Sequence, residues 1–298
     1  MPKLTVSAPA KVNLHLRVLN RRPDGFHDIQ SIFLALSFGD TLHFEPLSPD
    51  LALEIVMKPH IPMEENIIFK AVSLFRRQTG FFQGLRIRVE KQIPLGSGLG
   101  GGSSDAAAAL LAMNTLAARV SPACPLDFAA LSALAASLGS DVPFFLSKTR
   151  AAWVGGRGEN IRPLEIHARL WFVLVNPGFS SDTTGAFRLL DQFRREKMPG
   201  ADFQAMPENV VIEALSQAPR TWPFENDFLP VFLADSGIKT AYQEILDRLR
   251  DEGAEFAGLS GAGSTCFGVF SDKKSAVKAK NRLLNDWNFV KVTFLLAY

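Results

Sequence analysis

The chain has 298 residues, with 32 lysines and arginines against 30 aspartates and glutamates, so its formal net charge is +2. This near balance argues against a protein that coats nucleic acid, because such proteins concentrate positive charge. Hydrophobic residues make up 47% of the sequence and charged residues 21%, which excludes an intrinsically disordered chain and predicts one or two domains with a sizeable core.

Alternating apolar and polar residues predict strands near the start of the chain. Residues 5–17 alternate strictly, and the alternation places Lys11 and Asn13 on the polar side. A turn follows at residues 23–25, where proline, aspartate and glycine come together. Further strands are predicted over residues 29–36, 41–44 and 51–57.

The remainder of the sequence predicts a mixture of helices and strands. Apolar residues at helical spacing predict helices over residues 65–78, 106–118, 128–137, 239–252 and 275–287. Strands are predicted over residues 85–90, 171–175 and 289–296, and proline-interrupted connectors over residues 198–206 and 217–223. Glycines at residues 155–158 mark a loop that we interpret as a domain boundary.

The cysteines and the apolar runs indicate the cellular compartment. Cys124 and Cys266 lie far apart, without a CxxC pattern or a histidine at ligand spacing, which fits reduced thiols and argues against a zinc site. The N-terminus has no apolar secretion signal, and the longest apolar run, residues 106–113, is far shorter than the ~20 residues that span a bilayer. We therefore expect a soluble, cytoplasmic protein.

A glycine-rich loop between a predicted strand and a predicted helix is the sharpest feature of the sequence. Its residues are Pro94, Leu95, Gly96, Ser97, Gly98, Leu99, Gly100, Gly101, Gly102, Ser103 and Ser104. Glycines allow positive φ angles and bring backbone N–H groups close to a ligand, and the start of a helix attracts anions. We interpret the loop as a phosphate cradle and expect Ser103, Ser104 and Asp105 to cap the helix.

Three other kinds of glycine-rich loop fit this sequence less well. The pattern GxGxxG is present, but a dinucleotide-binding unit requires an acidic residue at the end of a second strand ~20 residues on, and here another helix is predicted. A P-loop requires a lysine, which the loop lacks. A flexible turn that binds nothing would lose the backbone entropy of three successive glycines without a gain in packing.

Three motifs together resemble the signatures of the GHMP kinase superfamily. They are residues 8–14, the glycine loop and residues 258–265, in the expected order over nearly the whole chain. The resemblance narrows to one branch of the superfamily through local patterns at residues 22–27, 65–66, 139–145, 156–159 and 225–227. The branch they resemble phosphorylates the C2 hydroxyl of a cytidine diphosphate derivative of methylerythritol, in the non-mevalonate route to isoprenoid precursors.

The resemblance implies an α+β protein with two domains and two cofactors. Residues 1–155 would form the N-terminal, ATP-binding domain with ribosomal-S5-like topology, and residues 156–298 the C-terminal, substrate domain with an antiparallel sheet and helices. The implied cofactors are ATP and Mg²⁺, with Ser103 as the candidate metal contact. The implied partner is the small-molecule substrate, without nucleic acid or membrane, and the chain would be a monomer or a weak homodimer.

The resemblance also implies roles for individual residues. Lys11 and Asp141 match the catalytic lysine and the acid–base residue, although from sequence alone a charge on a strand face and a helix N-cap are the ordinary interpretations. We hypothesise that Asp141 accepts the proton of the C2 hydroxyl and that Lys11 lowers the pKa of Asp141. The ATP-binding set comprises the eleven loop residues, with Asn66 and Lys91 near the adenine.

The substrate-binding residues implied by the resemblance are Asn13, Phe26, His27, Thr183 and Phe187. Phe26 and Phe187 would stack on the cytosine and His27 would contact the edge of the base. Phe26 departs from the family pattern, in which tyrosine is common. Two further functions stay open at this point: a GHMP kinase acting on homoserine or mevalonate, and a nucleotide-binding module without catalytic activity.

Overall fold

The computed structural model describes residues 3–48, 53–120, 125–235 and 237–297, so Cys124 and the predicted strand positions 51–52 lie outside the described residues. The strands are β1 Leu4–Arg21, β2 His27–Pro46, β3 Leu53–Val56, β4 Leu85–Glu90, β5 Ala151–Gly155, β6 Asn160–Pro163, β7 Trp171–Asn176, β8 Phe256–Leu259, β9 Cys266–Phe270 and β10 Phe289–Phe294. The helices are α1 Ile67–Thr79, α2 Gly101–Val120, α3 Phe128–Leu138, α4 Val142–Leu146, α5 Thr183–Lys197, α6 Glu208–Leu215, α7 Phe228–Ala234, α8 Lys239–Asp251 and α9 Lys273–Leu283, with a 3₁₀ turn at Pro219–Thr221.

The chain divides into two compact units that interleave along the sequence. The first unit comprises Met1–Ala10, Phe38–Pro94 and Gly100–Thr149. The second unit comprises Lys11–Ser37, Leu95–Leu99 and Arg150–Tyr298. The strands β1 and β2 and the glycine loop therefore contribute residues to both units. The predicted division of the chain between residues 155 and 156 stays a prediction.

The first unit combines a small sheet with the helices α1 to α4. Strand β4 pairs antiparallel with the second half of β2 and parallel with β3. Helix α1 is preceded by its N-cap Asn66, whose side chain accepts the N–H of Ile68, and is followed by Gly80 in the left-handed conformation. Helix α2 packs against α1 and α4 and is buried along most of its length, because alanine at most of its buried positions permits close approach.

The second unit contains an antiparallel sheet of four strands in the order β10-β7-β9-β8. Its core includes side chains from β7, β9 and the helices α5, α7, α8 and α9, among them Val173, Phe228 and Ile245. Cys266 in β9 is a buried, free thiol, as predicted, and burial raises its pKa above the usual range. The first half of β2 pairs antiparallel with β5, which in turn pairs with β6.

The structure confirms the α+β class and most of the predicted elements, and it corrects several boundaries. Residues 29–36 and 41–44 lie in one strand, β2, and α9 ends at Leu283, four residues before the predicted end at 287. Helix α2 begins at Gly101, so Ser103, Ser104 and Asp105 lie inside its first turns and the prediction that they cap it was wrong. Along the described stretches, no helix combines the length and apolar character needed to cross a bilayer.

Candidate active site

The glycine loop is fixed by hydrogen bonds to its carbonyl oxygens. Four consecutive carbonyls accept bonds within the second unit: Gly96 from the Ser181 N–H at 2.8 Å, Ser97 from the Thr265 N–H at 3.0 Å, Gly98 from the Ser260 hydroxyl at 2.9 Å and Leu99 from the Lys11 N–H at 2.9 Å. Because all four bonds use carbonyl oxygens, none of them occupies an N–H group of the loop. Backbone N–H groups are the donors that an anionic ligand requires.

Gly98 lies where the loop comes closest to the rest of the second unit. Its φ is +76°, and a Cβ atom built there would lie 2.2 Å from the Ser260 carbonyl oxygen and 2.7 Å from that of Gly263. Contacts this short to backbone atoms exclude any side chain. Glycine is therefore required here both for its conformation and for the close approach.

A buried cluster of three charged residues in the first unit includes Lys91, which precedes the loop, and Asp105, which follows it. The Lys91 ammonium donates to Oδ2 of Asp40 at 2.5 Å and to Oδ2 of Asp105 at 2.7 Å. Burial raises the pKa of Asp105 to about 7, while Lys91 opposes the rise and Asp40 adds to it. Burial also disfavours the charge on Lys91, but the two carboxylates outweigh it and raise the pKa of the ammonium.

Two buried polar atoms near the start of α2 have no hydrogen-bond partner among the described residues. They are the Ser104 hydroxyl and Oδ1 of Asp105. A buried polar atom without a partner costs free energy, so such atoms call for an explanation. Both belong to the helix that follows the glycine loop.

Lys11 is buried on the polar side of β1, with 3% of its surface exposed. Its ammonium donates to Oδ1 of Asn13 at 2.5 Å and lies 4.8 Å from the centre of the Phe33 ring. The Asn13 amide in turn donates to the Ser31 hydroxyl at 3.0 Å, and that hydroxyl donates to the His15 carbonyl at 2.5 Å. The ordinary interpretation of Lys11 as a solvated charge on a strand face is therefore wrong, because this part of β1 is buried on both sides.

Asp141 lies in the first unit, at the residue before helix α4. It is half-buried, with φ −86° and ψ −14°, and its side chain makes no capping hydrogen bond to the helix. The following residues Val142, Phe144 and Phe145 are buried, so they anchor the backbone next to this carboxylate. The structure thus places Asp141 at an N-cap position without giving its side chain the capping role.

His27 and Phe187, predicted to bind the substrate base, lie together in the second unit. Their rings stack with centres 5.4 Å apart and planes 17° from parallel, and Nε2 of His27 lies 2.9 Å from Oδ1 of Asp191. Phe187 also meets Phe228 edge to face, so one side of its ring contributes to the core. Asp191 was not predicted, although its spacing of four from Phe187 places both residues on one face of α5.

Phe26 and Thr183, the other predicted residues of this group, are exposed. Phe26 is 55% exposed, and its ring centre lies 5.0 Å from the Arg157 guanidinium. Thr183 is the first residue of α5. Asn66, predicted near the adenine, is buried and caps α1. The ligand contacts predicted for these residues stay predictions.

Comparison with known proteins identifies the family. A model described as the GHMP kinases N terminal domain matches residues 66–149, and one described as GHMP kinases C terminal matches residues 234–288. The 4-diphosphocytidyl-2-C-methyl-D-erythritol kinase of Burkholderia orbicola (strain MC0-3) is 35% identical over 292 residues, covering 94% of this chain and 90% of the relative. That of Thermodesulfovibrio yellowstonii is 36% identical over 278 residues, covering 93% of each.

This chain belongs to the 4-diphosphocytidyl-2-C-methyl-D-erythritol kinase family. A crystal structure of a 4-(cytidine 5'-diphospho)-2C-methyl-D-erythritol kinase has a TM-score of 0.82 to it at 33% identity, covering 99% of this chain and 100% of the other. A homoserine kinase from Cytophaga hutchinsonii has a TM-score of 0.66 at 15% identity, covering 100% of this chain and 95% of the other, and shows the shared fold. The predicted GHMP kinase fold of this family member is confirmed.

Proposed function

We propose that this chain is an ATP-dependent kinase that phosphorylates the C2 hydroxyl of 4-diphosphocytidyl-2-C-methyl-D-erythritol, which serves isoprenoid precursor synthesis. The observation that carries the proposal is similarity at 35% identity, over 94% of this chain, to a kinase named for that substrate. The similarity to homoserine kinase is far weaker, at 15% identity, and supports the fold rather than that activity. The cytoplasmic location and the monomeric or weakly dimeric state stay predictions.

The glycine loop binds the phosphates of ATP in this proposal. Phosphoryl transfer requires donors that offset the charge of the phosphates and hold them in line with the acceptor. The four bonded carbonyls of residues 96–99 fix the loop from its carbonyl side, which supports a role for its N–H groups in ligand binding. The Ser104 hydroxyl, buried and without a partner among the described residues, is an additional donor near the loop.

Asp141 and Lys11 carry the chemical step. We assign to Asp141 the acceptance of the proton from the C2 hydroxyl, and to Lys11 the offset of charge on the transferred phosphoryl group. The contacts of Lys11 with Asn13 and the Phe33 ring support this role, because they hold the buried ammonium in one position. Asn13 is thereby a positioning residue for Lys11 as well as a candidate substrate contact.

The residues present fit a magnesium ion that arrives with the nucleotide. Within residues 3–48, 53–120, 125–235 and 237–297, no group of three His, Cys, Asp or Glu side chains could hold a metal. Mg²⁺ commonly takes one or two protein oxygens and completes its shell with phosphate oxygens and water. We assign the Ser103 hydroxyl, in the first turn of α2, as the protein contact. When bound, the ion offsets negative charge on the phosphates.

The cytosine of the substrate binds at His27, Phe187 and Phe26. Thr183, four residues before Phe187 in α5, is a further substrate contact in this proposal. When Nε2 of His27 donates its proton to Asp191, Nδ1 of the neutral ring is an acceptor, which matches the exocyclic amino group of cytosine. The exposed ring of Phe26 offers a face for stacking. Cytosine meets both requirements, because it carries an exocyclic amino donor on a flat ring that can stack.

A coupled ADP-release assay tests the proposal. The parent should turn over the cytidyl-methylerythritol substrate with ATP and should release no ADP above background with homoserine or mevalonate. Asp141→Asn should lose ~10²-fold or more in kcat, because general-base catalysis contributes about that much. Asp251→Asn, an exposed aspartate at the end of α8, is the matched control and should behave like the parent. Turnover of homoserine or mevalonate in preference to the cytidyl compound would contradict the assignment.

A further inference from the structure

The cluster of Asp40, Lys91 and Asp105 is the strongest feature that the proposed chemistry leaves unexplained. The three side chains are almost completely buried, with 0%, 5% and 3% of their surfaces exposed. Burying charges costs free energy even when they are paired, and well-packed apolar residues would often be as stable. A specific geometric task is therefore a better explanation of the cluster than stability alone.

Asp40 fixes the segment that enters the glycine loop. Its Oδ1 accepts the N–H groups of Gln92 at 2.5 Å and Ile93 at 2.9 Å, while its Oδ2 accepts from Lys91. One carboxylate in β2 thus holds three consecutive residues that lead directly to Pro94. Bonds from a carboxylate to backbone N–H groups are charge-assisted and strong.

Asp105 extends the same cluster to the segment that leaves the loop. It lies in the first turns of α2, and its bond to Lys91 joins the helix start to the end of β4. Gly101 reinforces this contact, because a Cβ atom there would lie 2.9 Å from Cγ2 of Ile93 and 3.5 Å from Oδ2 of Asp40. Both flanks of the loop therefore meet at the cluster, where the Gly101 backbone lies against the side chains of Ile93 and Asp40.

We propose that Asp40, Lys91 and Asp105 are positioning residues that clamp the two flanks of the glycine loop together and thereby set the affinity of its N–H groups for a triphosphate. The inference rests on the proposed function, in which this loop binds the phosphates of ATP. A displacement of about 1 Å can cost ~10²-fold in an oriented reaction, so a clamp at the base of the loop has a functional consequence. The Lys91 ammonium acts here through the loop, and its bonds are to protein carboxylates.

The clamp differs in its consequences from a direct contact between Lys91 and the adenine end of the nucleotide. A direct contact would support the binding of adenosine, whereas a clamp supports the binding of the phosphates. Inorganic tripolyphosphate and adenosine are therefore the probes that separate the two roles. Each can be measured by competition against ATP on the full-length chain.

The variants are Lys91→Met, Asp105→Asn and the pair of both, with Lys91→Arg as the conservative substitution and Lys70→Met as the control. Lys70 is an exposed lysine in α1 of the same unit. Lys91→Met and Asp105→Asn should weaken tripolyphosphate and ATP about 10-fold or more, with adenosine binding unchanged and a larger change in the KM for ATP than in kcat. The pair should lose no more than the worse single variant, since both break one clamp.

The results separate failure of the clamp from failure of the proposed function. Parent-like tripolyphosphate binding in folded Lys91→Met and Asp105→Asn, or a loss confined to adenosine, would overturn the clamp and leave the kinase activity in place. If Lys91→Met does not fold, Asp105→Asn carries the test, because it keeps the size and one acceptor of the side chain. A parent that binds neither ATP nor tripolyphosphate would overturn both proposals.

Discussion

At the scale of single residues, Gly98 shows how a missing Cβ atom defines the candidate phosphate site. The glycine combines a positive φ with backbone oxygens at 2.2 and 2.7 Å from the Cβ position. Gly253 has a similar φ of +95° but has open space around its Cβ position. Substituting each glycine in turn therefore separates the free-energy cost of a left-handed backbone from the cost of steric crowding.

We predict that Gly98→Ala raises the KM for ATP ~10-fold or more and destabilises the chain, because the loop must move away from Ser260 and Gly263. Gly253→Ala should cost only the ~1–2 kcal/mol of a left-handed conformation and leave the KM unchanged. Steady-state kinetics and urea unfolding measure both effects. Equal KM values for the two variants would contradict the assigned place of the loop.

His15 gives a pH dependence to the stability of the chain. Burial lowers the pKa of its imidazole to about 4, while Nδ1 accepts the N–H of Glu225 at 3.1 Å. Between pH 4 and 6.5 the unfolded chain binds the proton and the folded chain does not, so this contribution to stability is present above pH 6.5 and is lost as the pH falls to about 4.

We predict that His15→Gln removes this loss of stability at low pH. The loss in the parent is at most ~1.4 kcal/mol of unfolding free energy per pH unit. The free energy of unfolding of the variant minus that of the parent should increase as the pH falls from 6.5 to 4. Urea unfolding at several pH values tests this, with the exposed His167→Gln as the control. An unchanged difference across that range would show that His15 does not titrate as expected.

At the scale of elements, helix α5 determines how the predicted base-binding residues are presented. Phe187 and Asp191 are four residues apart, and both contact His27, Phe187 by stacking and Asp191 by a hydrogen bond. The helix thus fixes the ring of His27 in both its plane and its rotation. The sequence predicted Phe187 and His27 from the resemblance, but it carried no sign of the contact across 164 residues between His27 and Asp191.

We predict that Asp191→Asn raises the KM for the cytidyl substrate ~10-fold and changes kcat less, because a histidine that loses its orienting partner binds the base less well. The KM for ATP should not change. Glu196→Gln, an exposed carboxylate on the same helix, is the control. A fall in kcat with an unchanged KM for the cytidyl substrate would contradict this role.

The elements also show what periodicity can and cannot predict. Alternation in residues 5–17 predicted a strand correctly, since a period of two reports which side each residue faces. It could not predict that the side carrying Lys11 and Asn13 is buried, because what covers a strand depends on distant parts of the chain. The prediction that Asp105 caps α2 was wrong for a related reason, because the partner of its carboxylate is Lys91, 14 residues earlier in the chain.

At the scale of the whole molecule, the motifs predicted the family and the α+β class, because several short patterns in one order are specific in combination. They did not predict that the two compact units interleave, with residues 95–99 assigned to one unit and the residues on either side to the other. A role for Asp40 could not be predicted, since nothing near it in the sequence indicates a bond to Lys91.

Lys11 and Asp141 belong to different units, and their cooperation is a prediction at this scale. We expect Lys11→Met and Asp141→Asn each to lose ~10²-fold or more in kcat, and the double variant to lose little more than the worse single variant, because residues that act in one step are not additive. Single-turnover kinetics of all three variants measure this. Losses that multiply in the double variant would show that the two residues act independently.

The four carbonyl bonds of the glycine loop have a consequence for synthesis on the ribosome. Three of their donors, Ser181, Ser260 and Thr265, come from residues translated long after the loop itself. A nascent chain that ends near residue 150 contains the loop but none of those three donors. The candidate phosphate site can therefore acquire all four of its carbonyl bonds only when translation is almost finished.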